Sequence, residues 1–158
     1  MSTTLFLGIG NTILTDEGIG VHVINYLQEH YGDEPGATFL DGGTLSFTLA
    51  EPIAEHDNLI VVDAARLKAS PGTTKTLVGE EMDHYLTGNR ESVHEVGLMD
   101  LLDIALLSET YPDNRALIGI EPQELGWGDK PTEAVGAAIP EAAAAALALH
   151  RQWNSPSD

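Results

Sequence analysis

The sequence predicts a single α/β domain in three layers, with helices on both faces of a twisted, mostly parallel sheet of about five strands. Three observations predict it. Short apolar or β-branched runs alternate with segments of helical period. One such run, Leu59-Ile60-Val61-Val62, is apolar on both faces, as a parallel strand covered from both sides must be. The chain of 158 residues has the length of one domain and carries neither an internal repeat nor a linker.

The elements follow in order. Leu5 to Ile9 is a buried strand that leaves into Gly10-Asn11. Val21, Ile24, Tyr26, Leu27 and Tyr31 fall mostly on one helical face, and Gly32-Asp33-Glu34-Pro35-Gly36 ends that helix. Thr38 to Leu40 is the second strand, and Asp41-Gly42-Gly43-Thr44 the turn after it. Leu45, Leu49 and Ile53 set a short helix that Pro52 disturbs near its end. The third strand, Leu59 to Asp63, ends on a carboxylate. Thr74 to Val78, after Pro71-Gly72, is a β-branched fourth strand suited to a sheet edge.

Residues 79–91 are polar and ambiguous. Ser92 and Glu95 have capping-box spacing and open a helix through Leu98, Leu101, Leu102 and Ala105. Asn114 to Ile120 is the fifth strand. The Ala-rich stretch from Pro131 to Trp153 is helical, divided at Pro140. Residues 1–153 are thus expected to form the domain and 154–158 a flexible C-terminal tail.

Bulk composition excludes several chemistries. There is no cysteine, so thiol nucleophiles and thiolate metal sites are absent, and any metal must use His, Asp or Glu. Twenty-five acidic against seven basic residues give a formal charge of -18. Such a field repels nucleic acid and anionic membranes, and solubility accounts for it better than a specific basic partner does. The start, Met1-Ser2-Thr3-Thr4, has neither a basic signal-peptide region nor a membrane span, so a cytoplasmic location is the expectation; a monomer is expected as well.

Ligands of open α/β sheets gather outside the carboxyl ends of the strands, which directs attention to the loops. Gly8-Ile9-Gly10 suggests a dinucleotide fingerprint, but position 13 is Ile13 instead of glycine. Asp16 and Glu17 would also repel a pyrophosphate, so no nucleotide is expected. One of those two acids suffices to cap a helix, which leaves the other for a ligand without saying which. Asp63 serves a capped turn and a ligand site equally well. His94, near a helix start, is biased towards the neutral, metal-competent ring. The other histidines, His22, His30, His56, His84 and His150, are assigned structural or surface positions.

One Glu, one Asp and one His on three loops suit nickel, zinc or another first-row divalent ion. HExxH and the Gly-x-Ser-x-Gly elbow are both absent.

The run Gly8-Ile9-Gly10-Asn11-Thr12-Ile13-Leu14-Thr15-Asp16-Glu17-Gly18-Ile19-Gly20 closely resembles the opening of the nickel–iron hydrogenase maturation proteases. Asp41-Gly42-Gly43-Thr44, the strand ending at Asp63, Pro71-Gly72-Thr73, His94-Glu95-Val96-Gly97-Leu98, Ile118-Gly119-Ile120-Glu121-Pro122 and Trp127-Gly128 resemble later landmarks of that family in order and spacing.

The resemblance implies an endopeptidase, aspartyl-type or metal-dependent, that removes the C-terminal extension of the nickel-loaded hydrogenase large-subunit precursor. It also implies Glu17, Asp63 and His94 as metal-contacting residues, with nickel carried by the substrate or a divalent ion, nickel or zinc, bound there. Asp16 then becomes the helix cap. Asp41 is implied as a catalytic carboxylate, and Gly42, Gly43 and Thr44 as a substrate-contacting loop whose glycines admit an extended peptide. The alternative is a non-hydrolytic nickel-site assembly chaperone that binds the same precursor.

Overall fold

The computed structural model describes residues 2–88 and 93–155, with only the backbone of 93–96. Five strands, β1 (Thr4–Ile9), β2 (Ala37–Gly43), β3 (Asn58–Ala64), β4 (Thr74–Val78) and β5 (Asn114–Ile120), form one sheet in the order β2-β1-β3-β5-β4. All neighbours run parallel except β4, which pairs antiparallel with β5 at the edge. An antiparallel edge needs no crossover helix, which is why a short connection takes β3 to β4.

Period-two alternation along the strands divides the core. Leu5, Leu7, Ile9, Leu59, Val61 and Leu117 face helices α2 (Ala50–Glu55), α3 (Glu80–Gly88) and α4 (Val93–Leu107). Phe6, Ile60, Val62, Ile118 and Ile120 face α1 (Ile19–Tyr31), α5 (Glu133–Gly136) and α6 (Ile139–Trp153). Strands buried on both sides thus make the middle of three layers. Ala142, Ala143 and Ala146 give α6 a flat, small-residue face against the second half of this core.

Several boundaries differ from the sequence expectation for local reasons. The second strand runs on through Gly43 instead of turning at Asp41. The Gly10 N–H donates to the Gly43 carbonyl at 2.8 Å, and the register jumps from Gly8↔Asp41 to Ile9↔Gly43, so Gly42 is bulged within the strand. Pro52 lies in the first turn of α2, where proline costs no hydrogen bond, not near its end.

The ambiguous stretch contains α3, whose Met82 and Leu86 are buried one turn apart while Glu80, Glu81 and Asp83 favour its N-terminus. Pro140 sits at the start of α6, and the break from α5 precedes it. The proposed cap Ser92 lies outside the described residues. Asn154 closes α6 and accepts the Ser2 N–H at 2.8 Å, and residues 156–158 are again outside the described set.

Two glycines bring α1 onto the sheet. A Cβ on Gly20 would lie 2.1 Å from the Val62 carbonyl oxygen, so only glycine lets the first turn of α1 rest on the end of β3. Gly10 has φ +139°, and a Cβ there would lie 2.0 Å from the Glu17 carbonyl oxygen. Gly8 is also close, since a Cβ there would lie 2.5 Å from the Gly20 carbonyl oxygen, so the Gly8-Ile9-Gly10 pattern that imitates a nucleotide fingerprint serves the packing of α1 and its lead-in turn on the sheet.

Candidate active site at the carboxyl ends of the strands

Strands β1, β2, β3 and β5 all end on one edge of the sheet, and their order reverses between β1 and β3. From β1 the chain moves outwards to β2, whereas β3 leads to the other side, which makes this the switch point where open α/β sheets bind their ligands.

Glu17 lies in the 3₁₀ turn Thr15–Gly18 that joins β1 to α1 and packs beside β3. Its Oε2 accepts the Asn11 N–H at 2.8 Å, which fixes the direction of the carboxylate. Asp63 is the penultimate residue of β3 and is buried. Its Oδ1 accepts the Ala64 N–H at 2.8 Å. In the parallel register it stands beside Gly119, so no side chain of β5 covers it there. Leu59 and Val61 point towards the α2–α4 layer, and Asp63 continues that parity.

The backbone of His94 lies in the first turn of α4, and its side chain is outside the described residues. Gly97, three residues on, approaches the segment after β2: a Cβ there would lie 3.1 Å from Leu45 Cδ1. The start of α4 thus reaches the same edge of the sheet. Among the described residues no three His, Asp or Glu side chains form a metal cluster.

Asp41 is exposed, and its Oδ1 accepts the Gly43 N–H at 2.8 Å while Gly43 adopts φ +51°. This Asx-type turn holds Gly42, Gly43 and the exposed Thr44 beside the end of β1.

Asp16 is not a helix cap. The N-cap of α1 is Gly18, with no side-chain cap bond, and Asp16 is fully buried. Its Oδ2 accepts the N–H groups of Gln123 and Glu124, both at 2.9 Å, and its Oδ1 accepts the Thr132 N–H at 2.7 Å. The Thr132 hydroxyl donates to both oxygens. Burial pushes this carboxyl upwards, but the converging donors from Glu124, Thr132 and Gln123 outweigh it and hold the group below the ordinary carboxylate value. Local reasoning from an acid beside a helix start missed this partner set because it lies more than a hundred residues away in sequence.

A second buried acid works similarly. Glu121, just past β5, accepts the N–H groups of Leu67 and Ala69 at 2.8 and 3.2 Å, fastening the loop after β3. Among the remaining histidines, His150 is buried between the Thr4 hydroxyl and the Pro35 carbonyl. His22 is half-buried with an unpartnered Nε2, and burial lowers its pKa.

The chain that builds this edge is similar to known proteins over most of its length. The family model described as hydrogenase maturation protease matches residues 21–149. The chain belongs to the hydrogenase maturation protease family. It is 36% identical over 150 residues to the hydrogenase expression/formation protein HupD of Rhizobium leguminosarum bv. viciae, covering 94% of this chain and 74% of that one. It is 38% identical over 122 residues to the hydrogenase 2 maturation protease of Escherichia coli, covering 77% and 74%.

Among solved structures, the hydrogenase maturating endopeptidase HybD of E. coli superimposes with a TM-score of 0.88 at 36% identity, covering 95% of this chain and 93% of the other. The maturation protease HybD of Thermococcus kodakarensis gives 0.79 at 28% identity, covering 93% and 98%. This protease is therefore a peptide hydrolase of hydrogenase maturation with a HybD-type fold. No helix among the described residues is long and apolar enough to cross a membrane.

Proposed function

We propose that this endopeptidase removes the C-terminal extension of a [NiFe] hydrogenase large-subunit precursor once nickel is in place. The observation that carries the reading is the pair of oriented carboxylates at the switch point. Glu17 and Asp63 come from different strands' ends, and a backbone amide aims each of them. The start of α4, with His94, lies at the same edge.

Two carboxylates and an imidazole suit a first-row divalent ion, nickel or zinc, and here the ion is nickel belonging to the substrate. Glu17, Asp63 and His94 would complete its coordination, so that only a loaded precursor docks in register. Hydrolysis adds water to the scissile carbonyl, breaks the C–N bond and passes one water proton to the leaving amine. Asp41, exposed at the end of β2, is the carboxylate assigned to that proton, and the Gly42-Gly43-Thr44 segment lies alongside the extended peptide.

The test mixes purified protein with nickel-loaded and nickel-free precursor and follows mass. Loss of the C-terminal extension from the loaded precursor alone is expected. Equal cleavage of both forms would sink the nickel checkpoint, and a stable complex of unchanged mass would mark an assembly chaperone instead.

A further inference from the structure

We propose that Ile13 and Trp127 form the docking face for an apolar, base-flanked segment of the precursor, beside the loop that carries Glu17. The inference rests on the precursor reading above but concerns a different surface.

Trp127 is 82% exposed and Ile13 51% exposed, so neither ring nor branched chain contributes much to the core. Exposed singly, such residues need no explanation; here they are brought together. Leu14 and Gly128 form an isolated parallel bridge, with the Gly128 N–H donating to the Ile13 carbonyl and the Thr15 N–H to the Gly128 carbonyl, both at 2.9 Å. These bonds put the exposed Ile13 and Trp127 on two backbone segments held directly against each other.

The Thr15 hydroxyl donates to the Gly126 carbonyl at 2.6 Å, the Asp16 N–H donates to the Glu124 carbonyl, and the buried Asp16 carboxylate grips the base of the loop. The face is therefore preorganised rather than a pair of swinging loops, which lowers the ordering cost of binding.

Its position names the occupant. Ile13 and Glu17 share one short loop, so a peptide engaged at Glu17 lies within reach of this face. Charge narrows it further: Glu124, Asp129 and Glu133 are exposed in the same segment against one exposed base, Lys130, within a chain of formal charge -18. An apolar stretch flanked by lysine or arginine complements that frame, and an acidic one is repelled. Exposed tryptophan at the centre of such a patch is the residue type that dominates interface energetics.

The experiment measures Kd for labelled nickel-loaded precursor by fluorescence anisotropy, and kcat at saturating precursor by mass spectrometry. Trp127→Ala should raise Kd about tenfold or more, with Trp127→Phe recovering part of it. kcat and melting temperature should stay at wild-type values. Leu107→Ala, an 86% exposed apolar site at the opposite end of the sheet, is the control and should change nothing.

Kd should also rise with added salt. In a Trp153→Phe background, Trp127 emission should shift to the blue on binding. A Kd unmoved by Trp127→Ala, an equal loss in Leu107→Ala, salt-independence, or no binding by the wild type overturns the proposal. A precursor that binds through Trp127 yet is never cut would refute the protease reading of the site and leave the docking face standing.

Discussion

Replacing Asp16 tests whether a buried carboxylate, not a local helix cap, secures the active-site edge. Asp16→Ala takes an acceptor from three backbone N–H groups and one hydroxyl. An unsatisfied buried donor costs about 1–3 kcal/mol, so four of them set an upper range well above 4 kcal/mol. Gln123 and Glu124 belong to an exposed loop and can regain water by swinging outwards, which caps the cost at that of releasing the loop. The expected loss is about 2–4 kcal/mol, against about 1 kcal/mol for a lost cap.

In urea this lowers the unfolding midpoint by roughly 1–2 M at unchanged slope. Asp16→Asn should lose somewhat less, because its amide oxygen still accepts, although its NH₂ then faces at least one of the backbone donors. Chymotrypsin should cut after Trp127 faster in both variants. A loss of about 1 kcal/mol or less in Asp16→Ala, the value of a helix cap, with unchanged proteolysis would refute the keystone role.

Glu17→Gln should keep the melting temperature within a few degrees while processing falls about 100-fold or more, read as mass loss of the loaded precursor; cleavage near the wild-type rate would remove Glu17 from the site. Gly20→Ala should cost about 3 kcal/mol or more, or fail to fold, because the added methyl meets the Val62 carbonyl; a soluble variant of wild-type stability in urea would contradict that packing.

The pair formed by Asp83 and Arg115, with Arg115 Nε donating to Asp83 Oδ1 at 3.0 Å, holds the Asp83 carboxyl below its ordinary value, chiefly through that hydrogen bond and against burial. Because the folded pKa is depressed, the stabilisation is present above about pH 4 and is lost as pH falls further. Asp83→Asn should therefore be less stable than wild type at pH 7, by about 1 kcal/mol for a partly exposed, solvent-screened pair, and the gap should shrink as pH falls below about 4. A gap independent of pH would assign the difference to packing.

The sheet was legible because its strands announce themselves: a doubly apolar run such as Leu59 to Val62 has few other uses, and Pro71-Gly72 before Thr74 marks an edge. Gly43 at the end of β2 was not, since a glycine pair preceded by aspartate reads as a turn unless the partner strand is known to continue.

The same limit governs the acids. Glu17 and Asp63 stand where strand ends make ligands probable on topology alone, and family resemblance separated Glu17 from Asp16. What Asp16 does instead was hidden, because its partners Gln123, Glu124 and Thr132 are set by tertiary closure and leave no local pattern. Trp127-Gly128 was visible as a landmark but not as a surface, since exposure and the bridge to Leu14 exist only in three dimensions.

The Asp16–Thr132 contact spans 116 residues, so its formation awaits nearly the whole chain. During synthesis, a ribosome-bound chain that has emerged only through β4 can pair β1 with β2 and β3, yet it has nothing to neutralise or anchor the acid at the start of α1. Loop-closure entropy delays such contacts further in the free chain. The candidate active-site edge is thus among the last parts to assemble, and a truncated or half-folded molecule would carry its acids without its geometry.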